Sequence, residues 1–258
     1  MLNLLTYCNL NVKFFLLDGA RHGISRDDAT REMCNVWKSD SRIAAIVLNE
    51  KIGKFVADVM CWNSVRIAQD DLIWKPPIPL DIDSTSSRKS PSGKSTVGFH
   101  QDSAYISTQF EPYENNSVTV WFALEDTDEE NGCMEYAEGS HLWRPITNSP
   151  DFNEKVVGQD DPSLDSFHMC DETTYRQSMS TTASLANIKD PVSTIMKMPC
   201  SEGHAIFHHQ DIWHGSGPNV STMRHRRTLV AHYLRGDVSF REEKGPTSKY
   251  TLFLTRFI

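Results

Sequence analysis

Paired cysteines are missing from this chain. Its six cysteines, Cys8, Cys34, Cys61, Cys133, Cys170 and Cys200, are scattered with no C-x-x-C pair. That favours reduced, core or incidental thiols in an intracellular, cytoplasmic protein over a disulfide framework or a structural zinc site. Long apolar runs are also missing: none approaches the roughly 20 residues needed to cross a bilayer, so no membrane partner is expected. The stretch from Met1 to Leu17 is mildly apolar, but Asn3, Asn9, Asn11 and Lys13 interrupt it. It has neither a basic lead-in nor a small-residue cleavage site, so it does not read as a signal peptide. Positive charge is in deficit, with 26 Lys and Arg against 34 Asp and Glu, a formal net charge of -8. That balance argues against a nucleic-acid partner, while leaving room for a local basic pocket that binds a carboxylate. No internal repeat is visible.

What is present suits a folded chain. Of 258 residues, 39% are hydrophobic and 23% charged, enough apolar material for a sizeable core. The first 36 residues give weak signals: a strand over Val12–Leu17 and a short helix over Arg26–Trp37. Ala45, Leu48, Ile52, Phe55, Val56 and Val59 recur at helical spacing, predicting one packing helix over Ser41–Met60 capped by Asp40 or Ser41. The texture then turns to short strands at Ser64–Ala68, Leu72–Trp74 and Val97–Asp102, separated by Pro76-Pro77-Ile78-Pro79 and an exposed loop over Ser84–Ser95. Val118–Leu124 is the clearest strand, being β-branched and aromatic. Asn131-Gly132 signals a hairpin that returns through Cys133–Tyr136. Residues 144–190 are polar and without a sustained period, as in a lid or an insertion. Strands resume at Val192–Met198, His204–Phe207 and, after a loop over His209–Arg224, Arg227–Leu234, with a last candidate at Tyr250–Phe257. The fold class is therefore mainly β with flanking helices, a sandwich or jelly roll.

Two stretches carry chemistry. In Val97-Gly98-Phe99-His100-Gln101-Asp102, a His-x-Asp pair in an extended segment projects an imidazole and a carboxylate from one face. With one more histidine, such a pair makes a facial triad that holds Fe(II) and leaves coordination positions open. The distal histidine is expected at His214, which heads His214-Gly215-Ser216-Gly217-Pro218-Asn219; His208 and His209, just before it, are rivals. Glycines on both sides of Ser216 let backbone approach a ligand. Arg224, Arg226 and Arg227 follow, and a buried arginine there can clamp a carboxylate bidentately, as an Fe(II) enzyme using a 2-oxo acid requires.

Together these stretches resemble the phytanoyl-CoA dioxygenase family of Fe(II)/2-oxoglutarate oxygenases. The resemblance rests on Gln69-Asp70-Asp71-Leu72-Ile73-Trp74-Lys75-Pro76-Pro77, His100-Gln101-Asp102-Ser103-Ala104-Tyr105 and Trp121-Phe122-Ala123-Leu124-Glu125-Asp126. It continues through Glu130-Asn131-Gly132, Gly139-Ser140-His141, and His214 to Asn219 with Ser221, Arg226 and Arg227. It covers roughly residues 60–235, and the ordered set is far more specific than His-x-Asp alone. The resemblance implies a double-stranded β-helix (jelly roll, cupin-like) core. It implies a single oxygenase domain over 1–258: helical support at 1–62, core at 63–143 and 191–258, lid or insertion at 144–190. It also implies His100, Asp102 and His214 as iron ligands, Arg226 as the clamp on the distal carboxylate of 2-oxoglutarate, Ser216 and Lys75 assisting, and Trp121 lining the cosubstrate pocket. The implied reaction uses Fe(II), 2-oxoglutarate and O2 to oxidise an unactivated C–H of a small molecule, with succinate and CO2 as coproducts. A carboxylate at Asp102 favours hydroxylation over halogenation.

Two departures stand against the family pattern. The spacing from His214 to the arginine pair is one residue longer, which leaves Arg227 or Arg224 as alternative clamps. The N-terminal strand and helix that usually open the family are not recognisable, as expected of a chain that begins late or is divergent there. Each marked residue also has a plainer interpretation. Lys75 could be a strand-end surface charge, Trp121 pure core, and the arginines a solvated turn, although only one of two neighbours on a strand can face a pocket. His22, His141, His168, His204, His225 and His232 read as structural or surface histidines, and Glu125–Glu130 as a solvated acidic turn. Rival functions are a Zn2+ hydrolase on the same triad, which would not need the arginine, a catalytically inactive binding relative, and nucleophilic catalysis by Ser216, which lacks a strand-turn-helix elbow. The substrate is an acyl-CoA thioester or a free small molecule of specialised metabolism. The acidic balance leans toward a neutral or cationic one.

Overall fold

The computed structural model describes residues 30–78, 95–106, 109–112, 114–143 and 175–240. In chain order come β1 (Arg31–Cys34), α1 (Ser41–Val47), α2 (Glu50–Met60), β2 (Val65–Lys75), β3 (Val97–His100), α3 (Ser103–Ile106), β4 (Phe110–Glu111) and β5 (Ser117–Ala123). Then follow β6 (Met134–Ala137), α4 (Gln177–Leu185), β7 (Ile195–Met198), β8 (Ala205–His209), β9 (His214–Ser216), β10 (Arg226–Arg235) and β11 (Ser239–Phe240). Two antiparallel sheets face each other: a major sheet in the order β1-β2-β10-β5-β8 and a minor one in the order β3-β9-β6-β7. β4 and β11 pair as a short ribbon. This is the jelly roll that the sequence predicts.

The major sheet is covered on both faces, and its sequences show it. In β5, Val118 and Val120 face out, packing with Leu229, Ala231 and Tyr233 of β10 against Ile43, Val47 and Val56 of the helices. The alternate residues Trp121 and Ala123 face in, meeting Ile73, Val230, Met134 and Tyr136 between the sheets. A strand buried on both sides reads as a continuous apolar run. Leu229 is fully buried, and truncating it to Ala should cost about 2–5 kcal/mol.

Several boundaries differ from expectation, each for a local reason. The helix expected over Ser41–Met60 is two helices. Asp40 caps the first, accepting from the Arg42 and Ile43 amides. Asn49 interrupts the run because its side chain accepts from Lys51 N and starts a second helix. The helix expected over Arg26–Trp37 is overturned across Arg31–Cys34, which pairs along β2; Asn35 in a left-handed conformation then turns the chain into a 3-10 turn at Val36–Lys38. Ser64–Ala68 and Leu72–Trp74 merge into the single long strand β2, anchored along its length by β10. The Asn131-Gly132 turn forms, but the following strand does not return beside β5. Both edges of β5 are taken, by β10 and β8, and β6 pairs with β9 and β7 in the opposite sheet. A Cβ on Gly132 would meet Gly217 O at 2.7 Å, so glycine lets this turn cross the end of the sandwich.

The loop expected over His209–Arg224 contains β9. Gly215 allows it: a Cβ there would lie 2.8 Å from both the Phe99 ring and Val97 O. Within 144–190, residues 177–185 form α4, which buries Met179 against Phe99, Ala137 and Trp213 on the outer face of the minor sheet. The expected strands at 12–17 and 250–257, nearly all of the 84–95 loop, His22 and His168 lie outside the described residues. Cys34, Cys61, Cys133 and Cys200 are free thiols. Among the described residues no helix is long and apolar enough to cross a membrane.

Candidate active site

His100, Asp102 and His214 converge between the sheets, with one ligand atom from each within 4.8 Å of the others. The extended i,i+2 geometry predicted for the first pair is only half present. His100 ends β3, whereas Asp102 heads α3, its carbonyl accepting from Tyr105 N at 3.0 Å and Ile106 N at 3.1 Å. The turn is pinned to the β8–β9 connection: Ser103 N donates to Gln210 O at 3.0 Å, and Gln101 Nε2 donates to Asp211 O. His214 lies directly across the ladder from His100, since β3 and β9 pair at these two residues.

Both imidazoles are oriented the same way. His100 Nδ1 lies 2.8 Å from Gly98 O and His214 Nδ1 lies 2.9 Å from Ile212 O. A carbonyl only accepts, so Nδ1 carries the hydrogen and each Nε2 offers its lone pair to the centre. The two Nε2 atoms stand 3.6 Å and 3.5 Å from Asp102 Oδ1. Burial and the neighbouring His100 push His214 well below the usual imidazole range, so it is neutral at pH 7. Burial alone would raise Asp102, but the electrostatics of the surrounding imidazoles, with a hydrogen bond from His208, outweigh it and hold the carboxyl well below its ordinary range. Two imidazole nitrogens with one carboxylate oxygen suit a first-row transition metal.

The far oxygen of Asp102 belongs to a buried network. Thr119 Oγ1 and His208 Nε2 both reach Oδ2, the latter at 3.0 Å. His208 Nδ1 meets Tyr136 OH at 3.0 Å. Thr119 Oγ1 also meets His232 Nδ1 at 2.9 Å, and His232 Nε2 lies 3.3 Å from Asp71 Oδ2. Burial opposes a charge on His232, but the hydrogen bond and negative potential of Asp71, with that of Asp102, hold it above the usual range. Sequence reasoning missed Thr119, Tyr136 and His232 as site residues and weighed His208 only as a rival ligand. Alternation held one available signal: Arg226, Thr228, Val230 and His232 fall on one face of β10.

Two basic side chains are buried elsewhere in the same interior. Arg226 and Lys75 are cross-strand partners, exposed by only 1% and 0%. Lys75 Nζ donates to Ser216 Oγ and Gly217 O, each at 2.7 Å, and burial with the nearby Arg226 charge depresses it well below the usual range. The Arg226 guanidinium lies over the Trp121 ring, 5.1 Å from its centroid. It donates to Met134 Sδ at 3.2 Å, while its Nε and the nearby Thr228 hydroxyl have no partner. Burial lowers Arg226 only to about 10, so it stays charged at neutral pH. Among the described residues no carboxylate reaches it. The other arginines are engaged elsewhere: Arg227 with Glu125 at 2.8 Å and Arg224 with Asp128 at 2.6 Å. The Pro218-Asn219 turn holds this region together, Asn219 Nδ2 donating to Lys75 O at 3.2 Å and Arg224 O at 2.8 Å. Ser216 lies on a strand rather than at an elbow before a helix.

A jelly roll with two histidines and one aspartate converging inside it, and with two buried basic side chains, defines the cupin-like class of metal-binding oxygenase scaffold. Comparison narrows that class. The model of the phytanoyl-CoA dioxygenase (PhyH) family matches residues 26–228, and the chain belongs to this family. A Dictyostelium discoideum phytanoyl-CoA dioxygenase domain-containing protein 1 homolog is 26% identical over 145 residues, 55% of this chain. A probable alpha-ketoglutarate-dependent hypophosphite dioxygenase of Stutzerimonas stutzeri is 30% identical over 146 residues, 56% of this chain. The matched stretch spans 41% of the length of each of these relatives. Among solved structures, the alpha-ketoglutarate-dependent carbocyclase SnoK of nogalamycin biosynthesis superposes with a TM-score of 0.59 at 18% identity, over 90% of this chain and 73% of its own. EctD from S. alaskensis superposes with a TM-score of 0.57 at 14% identity, over 86% of this chain and 62% of its own. These superpositions share the fold.

Proposed function

We propose that this protein is an Fe(II)- and 2-oxoglutarate-dependent dioxygenase that hydroxylates an unactivated C–H of a small-molecule substrate. The observation that carries the reading is Arg226, a fully buried guanidinium with no carboxylate partner among the described residues, in the same interior as His100, Asp102 and His214. A buried, unpaired cation costs several kcal/mol, and a protein keeps one where an anionic ligand completes it. A zinc hydrolase on the same triad has no use for this group.

In this reading His100 and His214 hold iron through Nε2 and Asp102 holds it through Oδ1. Bound there with 2-oxoglutarate and O2, the metal supplies the oxidising power, and succinate and CO2 are the coproducts. The chain's own residues do the rest. Arg226 binds the distal carboxylate, and Lys75 and Ser216 present an amine and a hydroxyl beside it. Trp121 supports the guanidinium from below and closes the pocket wall. Burial excludes water, which strengthens each of these polar contacts. In this reading the described residues work as one cytoplasmic oxygenase domain without a nucleic-acid or membrane partner. The relatives differ in substrate: the name of one specifies hypophosphite, and a solved structure of the epimerase SnoN holds Fe3+, alpha ketoglutarate and nogalamycin RO. The substrate proposed here is a free metabolite, neutral or cationic, in keeping with the net charge of -8.

The test is an anaerobic titration with Fe(II) and 2-oxoglutarate, followed by the visible metal-to-ligand charge-transfer band of the chelate. The band should appear with the wild-type chain and vanish in His214→Ala. Iron binding without the band would overturn the cosubstrate reading and bring the hydrolase forward.

A further inference from the structure

The two oxygens of Asp102 are held differently. Oδ1 faces His100 Nε2 and His214 Nε2 at 3.6 Å and 3.5 Å. Oδ2 turns away, into contact with Thr119 Oγ1 and His208 Nε2. His208 continues through Nδ1 to Tyr136 OH, 3.0 Å away. Asp102, Thr119, His208 and Tyr136 are all buried, so bulk water does not compete for these bonds.

Chemistry fixes the directions of the hydrogen bonds. An ionised carboxylate only accepts, so His208 carries its hydrogen on Nε2, and Nδ1 accepts from the Tyr136 hydroxyl. Tyr136 is anchored in β6, its ring stacked on the His214 imidazole with centroids 5.9 Å apart and planes at 26°. The chain Tyr136–His208–Asp102 thus runs from a rigid strand of the minor sheet, through edge strand β8 of the major sheet, to the carboxylate at the head of α3. His208 does not serve as a fourth ligand here, because its Nε2 hydrogen is committed to Oδ2 and its Nδ1 lone pair to Tyr136.

We propose that His208 and Tyr136 are positioning residues that lock Asp102 into offering a metal one oxygen only. The proposal rests on the reading of His100, Asp102 and His214 as iron ligands. A carboxylate free to turn would bring Oδ2 to the metal as well and occupy a second coordination position. With Oδ2 held by Thr119 and by the His208–Tyr136 pair, that position stays open, which cosubstrate and O2 binding at a facial triad requires. The pair therefore acts on coordination number as well as on affinity.

Titration of the full chain with Co(II), an air-stable probe whose d–d absorption reports coordination number, tests this directly. His208→Leu should weaken Co(II) binding by about 10–100-fold and alter the d–d spectrum. His208→Gln, whose amide N–H can reach Oδ2, should recover most of the affinity and the wild-type spectrum, which a purely space-filling role would not require. Tyr136→Phe keeps the ring and removes only the hydroxyl, and should weaken binding by up to about fivefold in the same direction. Wild-type affinity and spectrum in both His208→Leu and Tyr136→Phe would overturn the proposal. Should circular dichroism show His208→Leu unfolded, a wild-type result in Tyr136→Phe alone overturns it. Asp102→Ala separates the two levels: binding that ignores Asp102 sinks the ligand reading itself, whereas binding that needs Asp102 but not His208 or Tyr136 sinks only the positioning role.

Discussion

Two buried groups of side chains in this chain obey opposite rules. In the triad group the contacts are internally satisfied: each histidine has a carbonyl for Nδ1, and Asp102 Oδ2 has two donors. In the basic group Arg226 and Thr228 are fully buried, yet Arg226 Nε and the Thr228 hydroxyl have no partner. Both groups are equally dry, so solvent does not explain the difference. A metal centre must be preorganised, because its ligands have to hold one geometry before the ion arrives. A cosubstrate site must leave its donors unspent, because any internal carboxylate would compete with the one that is to bind. The satisfied group contributes stability, and the unsatisfied group forgoes some of it for binding.

That contrast can be broken at several points. The largest effect belongs to the triad: His100→Ala, Asp102→Ala and His214→Ala should each abolish Fe-dependent succinate formation, and succinate release from all three would end the assignment. Next is Arg226→Ala, which should raise the 2-oxoglutarate KM by about 10–100-fold, the worth of one or two charge-assisted hydrogen bonds, in steady-state kinetics. A third change inverts the usual outcome. Arg226→Met removes an unpaired buried charge, so the ligand-free chain should gain about 1–4 kcal/mol in urea unfolding, while the rise in Tm on adding 2-oxoglutarate disappears. Arg227→Ala is the sharpening control. Its side chain is paired with Glu125 and 35% exposed, so stability should fall by no more than about 1 kcal/mol and the KM should not move. A KM effect at Arg227 would mean that the strand is read one residue out of register.

A separate effect is a pH dependence away from these two groups. Asp70 caps the turn before α1, accepting from Trp37 N at 3.0 Å and Val36 N at 3.2 Å. Burial nevertheless raises its carboxyl to about 6, above the ordinary value of about 3.9. The folded chain therefore holds this proton more tightly than the unfolded one. The contribution is full below about pH 4 and is lost as the pH rises through about 6. Urea midpoints taken at pH 4.5 and pH 7 should differ less in Asp70→Asn than in the wild type. An equal fall in both would remove Asp70 as the source.

Some of this was legible in the residues and some was not. Val118–Leu124 declared a buried strand because apolar and β-branched side chains stand on both of its faces. His-x-Asp and the His-Gly-Ser-Gly-Pro-Asn run marked two strands that pair side by side in the minor sheet, with His100 opposite His214. The sequence could not choose among Arg224, Arg226 and Arg227. That choice depends on which residue of β10 falls opposite Lys75, and the acids that take up the other two lie about a hundred positions earlier in the chain. Nor could it show that Asn131-Gly132 sends the chain across the sandwich, because a turn signal fixes a reversal and not the partner strand. His232 looked like an isolated histidine until the register of β10 against β5 set it beside Thr119.

By itself, the sequence determined the kinds of element, the residue types able to bind a metal and a carboxylate, and the absence of paired cysteines. These follow from local periodicity and side-chain chemistry, which neighbours in the chain already express. Only the tertiary structure decided that Oδ1 of Asp102 faces the two imidazoles while Oδ2 is tied to His208, and that one arginine of three is buried with no carboxylate partner among the described residues. Those are facts of strand register and burial, set by contacts between residues far apart in the chain.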